Sequence, residues 1–159
     1  MTIVGFLMQR IAEDEAVARA ATQGDWYWEP PSEESFPMYD ESLVSTVLDD
    51  DGDHTVVLVG VGYDTSRIEG RDEDRAHIAR YHPARVLAEC AAKRRIVELH
   101  QPDDDKCSVC SHEIGYASDG YGGEYYENQR TGNDWPCATL RALTAVYSDH
   151  PDYRQDWAR

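Results

Sequence analysis

Cys107-Ser-Val-Cys110 sets two thiols two residues apart, and Trp135-Pro136-Cys137 returns a third at the head of a short apolar segment. Two soft ligands at that spacing, with another brought back later, suit a tetrahedral zinc site. Three donors need a fourth. His100, at the end of a helical pattern, is the preferred one; His112, His150 and Cys90 are the alternatives. His112 ranks below His100 because it lies only two residues beyond Cys110, where wrapping round the same ion is difficult. Four protein ligands would leave no position for water, which makes such a zinc structural rather than catalytic. Closing Cys107, Cys110 and Cys137 on one ion would also pin a loop that composition leaves loose. The plain alternative is three reduced thiols without a metal.

Other chemistry is thinner. A redox dithiol needs a strand before it and a helix after it to lower the first thiol's pKa, and neither is expected here. Zinc deaminases use His-x-Glu upstream of Pro-Cys-x-x-Cys, whereas here Cys107-x-x-Cys110 precedes an adjacent His112-Glu113. An open zinc site with His112 and Glu113 would instead make a metal-dependent hydrolase, and three protein ligands plus water would distinguish it from a structural site. There is no Gly-x-Ser-x-Gly elbow, no phosphate-binding loop and no His-Glu-x-x-His. His77 and His82 near Glu73 and Asp74 read as a solvated helix surface. The run Asp49-Asp-Asp-Gly-Asp53 lacks the spacing of a calcium loop and reads as a hairpin turn. Tyr116, Tyr121, Tyr125 and Tyr126 form either a recognition surface or a loop folded on its own domain.

These residues need elements to hold them. Thr2 can cap a helix with Val4, Leu7, Met8, Ile11 and Ala18 inward and Gly24 as its stop. An aromatic strand follows at 25–29, and β-branched runs at 43–48 and 55–61 flank the Asp49–Asp53 turn, which predicts an antiparallel meander. Helical turns are expected from Asp72 to Tyr81. A longer helix starts at Pro83, where a missing N–H costs nothing, and carries Val86, Leu87, Cys90, Ala91 and Val97 to His100. Cys90 on that apolar face reads first as a small buried hydrophobe. Residues 115–132 read as a long loop, Leu140, Leu143 and Tyr147 as a short amphipathic helix, and Tyr153 and Trp157 as tail residues able to dock. The fold expected is α+β: a small antiparallel meander packed by the N-terminal and central helices, with a zinc-pinned C-terminal loop and short helix. Segments 1–103 and 104–159 would act as one cooperative domain.

With 159 residues, 15 basic and 31 acidic, the chain carries a formal charge of −16, which disfavours direct binding to nucleic acid or anionic membranes. Arg10 and Glu13-Asp14-Glu15 near the start are unlike a signal peptide, so a reducing cytoplasm is expected.

Ala76–Glu89, Lys93-Arg-Arg-Ile96, Trp135-Pro-Cys-Ala-Thr-Leu-Arg-Ala-Leu143 and Tyr147-Ser-Asp-His-Pro-Asp-Tyr-Arg154 together resemble a family of small proteins from actinobacteria and their phages that carries a domain-of-unknown-function label. The sequence departs from that pattern at His82, where Asp is expected as the cap, and in the long insertion between Cys110 and Trp135. The meander followed by a Pro83 helix is more loosely similar to accessory proteins encoded near phage early genes. What the resemblance implies is a phage or mobile-element accessory protein, and it brings no known activity or catalytic residues. Its acidic surface would bind a host or phage protein, for instance by occupying a nucleic-acid site. A phage assembly component, forming a symmetric oligomer, is the further alternative to the hydrolase.

Overall fold

The computed structural model describes residues 1–30, 39–61, 72–114, 117–118, 124–125 and 129–158. It is α+β. In chain order the elements are α1 (Ile3–Ala20), β1 (Trp26–Glu29), β2 (Tyr39–Leu48), β3 (His54–Val61), α2 (Asp72–Arg80), α3 (Pro83–Leu99), β4 (Pro102–Asp103), β5 (Lys106–Ile114), β6 (Ala117–Ser118), β7 (Glu124–Tyr125), β8 (Gln129–Asp134), α4 (Ala138–Ala145) and a 3₁₀ turn, Gln155–Ala158. Contacts divide the chain into two units, residues 1–12 with 91–159, and residues 13–90.

The 13–90 unit holds the expected meander, with strand order β1-β2-β3 and both pairings antiparallel. Trp26 pairs with Ser45 and Glu29 with Ser42, which leaves Leu43, Val44 and Ser45 fully buried. The β2–β3 turn is closed by its own first aspartate: the Asp49 carboxylate accepts from the N–H groups of Asp51 and Asp53, each at 3.0 Å, and Gly52 takes φ 86. This is the short-polar-residue turn chemistry read from the sequence.

Helix α1 begins as expected, with the Gly5 N–H donating to Thr2 Oγ1 at 3.1 Å. Its end differs from the expectation. The helix stops at Ala20, and the Gln23 side-chain amide, rather than a glycine cap, donates to the Ala18, Arg19 and Ala21 carbonyls at 2.9, 3.2 and 2.7 Å. Gly24, at φ 96, serves the close approach to β2 instead, since a Cβ there would lie 2.5 Å from Ser45 Oγ and 2.9 Å from Thr46 Oγ1.

In the other unit the first three turns of α1 supply Ile3, Phe6, Leu7 and Ile11 to the core beside Val97, Leu140 and Trp157. Leu7 and Ile11 were expected inside; Val4 and Met8 are only half-buried, and Phe6 takes the deepest place. The reason lies at the far end of the chain. Rings from the tail surround Phe6, with Trp157 at 5.0 Å, His150 at 5.7 Å, and Tyr147 and Tyr153 at 6.3 Å, mostly edge-on. Arg10 is buried with them, its guanidinium 5.5 Å from the Phe6 ring centre and hydrogen-bonded to His150 Nε2.

A second three-stranded antiparallel sheet, β4-β5-β8, belongs to this unit, and a two-stranded pair joins β6 to β7. Where the sequence suggested one loop over 115–132, the structure thus has strands, because β8, Gln-Arg-Thr-Gly-Asn-Asp, carries almost none of the β-branched or aromatic residues that announce a strand. Tyr116, Tyr121 and Tyr126 lie outside the described residues, as do most of the acidic stretch at 32–40 and the connection at 62–70. The ring cluster makes a direct expectation: Phe6→Ala should cost about 3–5 kcal/mol in chemical denaturation, and a cost below about 1 kcal/mol would show that Phe6 does not centre the core.

Candidate metal centre

Three elements converge on one point. Helix α3 ends at Leu99, and His100 prolongs it by one hydrogen bond, from its N–H to the Ile96 carbonyl at 3.1 Å. The β4–β5 hairpin turns through Asp104 at φ 54 and is tied to that helix end by Ser108, whose N–H donates to the Gln101 carbonyl and whose hydroxyl donates to the Leu99 carbonyl, both at 2.9 Å. Helix α4 opens at Cys137, directly after the cis Trp135–Pro136 peptide.

In a regular strand, side chains three apart face opposite sides, so Cys107 and Cys110 could not meet at one point. The β5–β8 register shift between Lys106 and Ser111 breaks that alternation, and the Ser111 hydroxyl donates to the Cys107 carbonyl at 2.6 Å across the bend. Gly132 is what lets β8 follow. It pairs with Ser111 at φ 130, and a Cβ there would stand 2.5 Å from the Cys110 carbonyl oxygen and 2.6 Å from Ser111 Cα. The open end of the pair is held by an exposed ion pair between Lys106 and Asp134, which raises the lysine pKa and lowers that of the carboxylate.

His100 Nδ1 lies 3.3 Å from Cys107 Sγ, 3.4 Å from Cys110 Sγ and 3.4 Å from Cys137 Sγ. All four donor atoms are within 4.8 Å of one another. Around a tetrahedral ion with metal–sulfur bonds of about 2.3 Å and metal–nitrogen bonds of about 2.0 Å, the nitrogen–sulfur edges come to about 3.5 Å. The arrangement is compatible with a metal ion held by one imidazole and three thiolates. Cys107 and Cys137 are fully buried, while His100 and Cys110 are half-buried. Cys137 occupies the N-cap of α4 without making a side-chain capping bond, which leaves its sulfur for the cluster.

Cys107 and Cys110 do not ionise alike. Burial pushes the Cys107 thiol up, but the backbone N–H groups of Cys110 and Val109, with His100 and Cys137, outweigh it and bring the thiol down to about 7. Burial and then the neighbouring Cys107 and Cys137 sulfurs push Cys110 up to about 11. One thiolate is thus favoured and further negative charge opposed, an opposition that a cation among the three sulfurs would relieve.

A family of unknown function, DUF6221, matches residues 1–159. The chain belongs to the DUF6221 family. No curated protein and no solved structure matches it.

Of the donors considered from the sequence, this DUF6221 member brings together His100, Cys107, Cys110 and Cys137. His112 is exposed on β5, paired with Thr131 and outside the group; the Glu113 side chain lies outside the described residues. His150 engages Arg10 through Nε2, and its Nδ1 accepts from the Asp152 N–H at 3.1 Å. Cys90 is buried in α3, outside the group. Sequence reasoning missed Gly132 and the two serines that shape the bend. The only sequence signal for Gly132 was a glycine five residues before Cys137. Gly132→Ala should therefore cost more than Gly52→Ala, whose Cβ would meet nothing within 4 Å although its φ is also positive. The difference expected from denaturation is about 1–3 kcal/mol, and equal costs would remove the close approach from the account.

Proposed function

We propose that His100, Cys107, Cys110 and Cys137 hold a structural zinc ion, and that the chain so shaped acts by binding a partner protein through its acidic surface. The closed set of four protein donors carries this reading, because it leaves no coordination site for a water nucleophile. An S₃N set of this softness favours zinc over the hard, oxygen-seeking cations. The hydrolase reading needs an open site with His112, and the exposure of His112 apart from the donors weighs against it.

The charge supports the binding half. Of the 31 acidic residues 19 lie between Glu13 and Cys90, against 6 of the 15 basic ones, so that unit carries −13 of the formal −16. Such a surface suits a basic partner and imitates the charge of phosphates. The partner on this reading is a host or phage nucleic-acid-handling protein met in the cytoplasm, the chain serving as an accessory or inhibitor of phage or mobile-element type. No helix among the described residues is long and apolar enough to cross a membrane.

Elemental analysis of the purified chain should find one zinc per chain, lost in both Cys107→Ser and Cys137→Ser. Metal-coupled folding would lower the melting temperature of each by about 6–12 °C, as a loss of about 3 kcal/mol implies for a chain of this size. Zinc-free protein with unchanged melting would overturn the site. Affinity capture with wild type beside an Asp50→Lys, Asp51→Lys, Glu73→Lys variant should lose its partner in the variant and weaken with salt; capture that is equal and salt-insensitive would overturn the acidic-surface reading.

A further inference from the structure

Within the acidic unit, the end of α1 and the residue after it line an apolar groove in which Val17 is exposed. Val17, Ala18 and Ala21 follow Asp14 at helical spacing and form one wall of an open groove of about 250 Å³, whose other walls are Trp26, Tyr81 and Val86. Val17 is 73% exposed and Tyr81 43%. Val17 adds nothing to the core, but unlike a lone exposed valine it stands beside Tyr81 and Trp26 in one apolar concavity. The groove is smaller than the pockets of about 300–1,000 Å³ that enclose cofactors and drug-sized ligands. Its size suits one large side chain, of the kind that anchors protein interfaces.

The surroundings decide the charge of what brings that side chain. Two nearby cations are matched by the chain's own carboxylates: Arg19 by Glu15 at 3.2 Å, and Arg85 by Glu89 at 2.8 Å while its guanidinium lies 4.5 Å from the Tyr81 ring centre. Asp14 is part of the lining, Asp25 faces His82 at 3.3 Å, and the unit as a whole stands at −13. An acidic or neutral segment would meet that field unfavourably, whereas a basic one would be steered to it.

We propose that this groove is a docking site for a basic segment of a partner protein that inserts one large aliphatic or aromatic side chain between Val17, Trp26 and Tyr81. The proposal rests on the binding reading above and names the chemistry of the partner. It is tested by selecting random peptides of about twelve residues from a display library on the purified full chain, then measuring the winners by fluorescence anisotropy. Enriched peptides should carry Lys or Arg on both sides of a Leu, Met, Phe or Trp. They should bind Val17→Asp at least about tenfold more weakly than wild type. Val17→Leu and the control Val146→Asp, at another exposed apolar position, should bind as wild type does. No enrichment, acidic or anchorless winners, or undiminished binding to Val17→Asp would overturn the groove. A natural partner captured equally by wild type and Val17→Asp would overturn the groove alone and leave the binding reading standing; a chain that captures no partner at all would overturn both.

Discussion

Three sulfurs and an imidazole nitrogen within 4.8 Å of one another form a cluster compatible with a metal ion that could pin the C-terminal loop. A helix end, a hairpin and a helix start meet there. The hairpin strand β4 is two residues long and exposed, and α4 has eight residues, so neither is stable from local preference.

Charge and aromatic packing are segregated along the same chain. Residues 1–12 and 91–159 gather the buried rings around Phe6 and the sulfur cluster, whereas residues 13–90 carry most of the negative charge and the exposed groove. Like charges in one unit repel, which works against compactness but favours solubility and attraction of a basic partner.

Legibility differed from element to element for physical reasons. The first sheet could be read because Leu43–Leu48 and Thr55–Val61 have strand composition and Asp49 closes its turn in the way short polar residues do. The donors could be read because thiols at that spacing have few other uses, and His100 because it closes a helix just ahead of them. The second sheet was hidden, since β8 is polar throughout and its partner β5 spans the CxxC without regular alternation. Helix α1 was read as a helix with a partly wrong inner face: Phe6 and Arg10 are buried by Tyr147, His150 and Trp157, residues distant in sequence, and although Trp157 was expected to dock, no local pattern says onto what.

Gly132 has a further consequence for how β8 finds its place. A strand with no hydrophobic alternation has little to choose one pairing over another, and would be prone to slide. Sliding by two residues would set Arg130 or Asp134 opposite Ser111, where each would bring a Cβ into the space that the Cys110 carbonyl allows only to glycine. The missing side chain therefore acts as an indexing notch, selecting one alignment of two strands that composition alone would leave interchangeable.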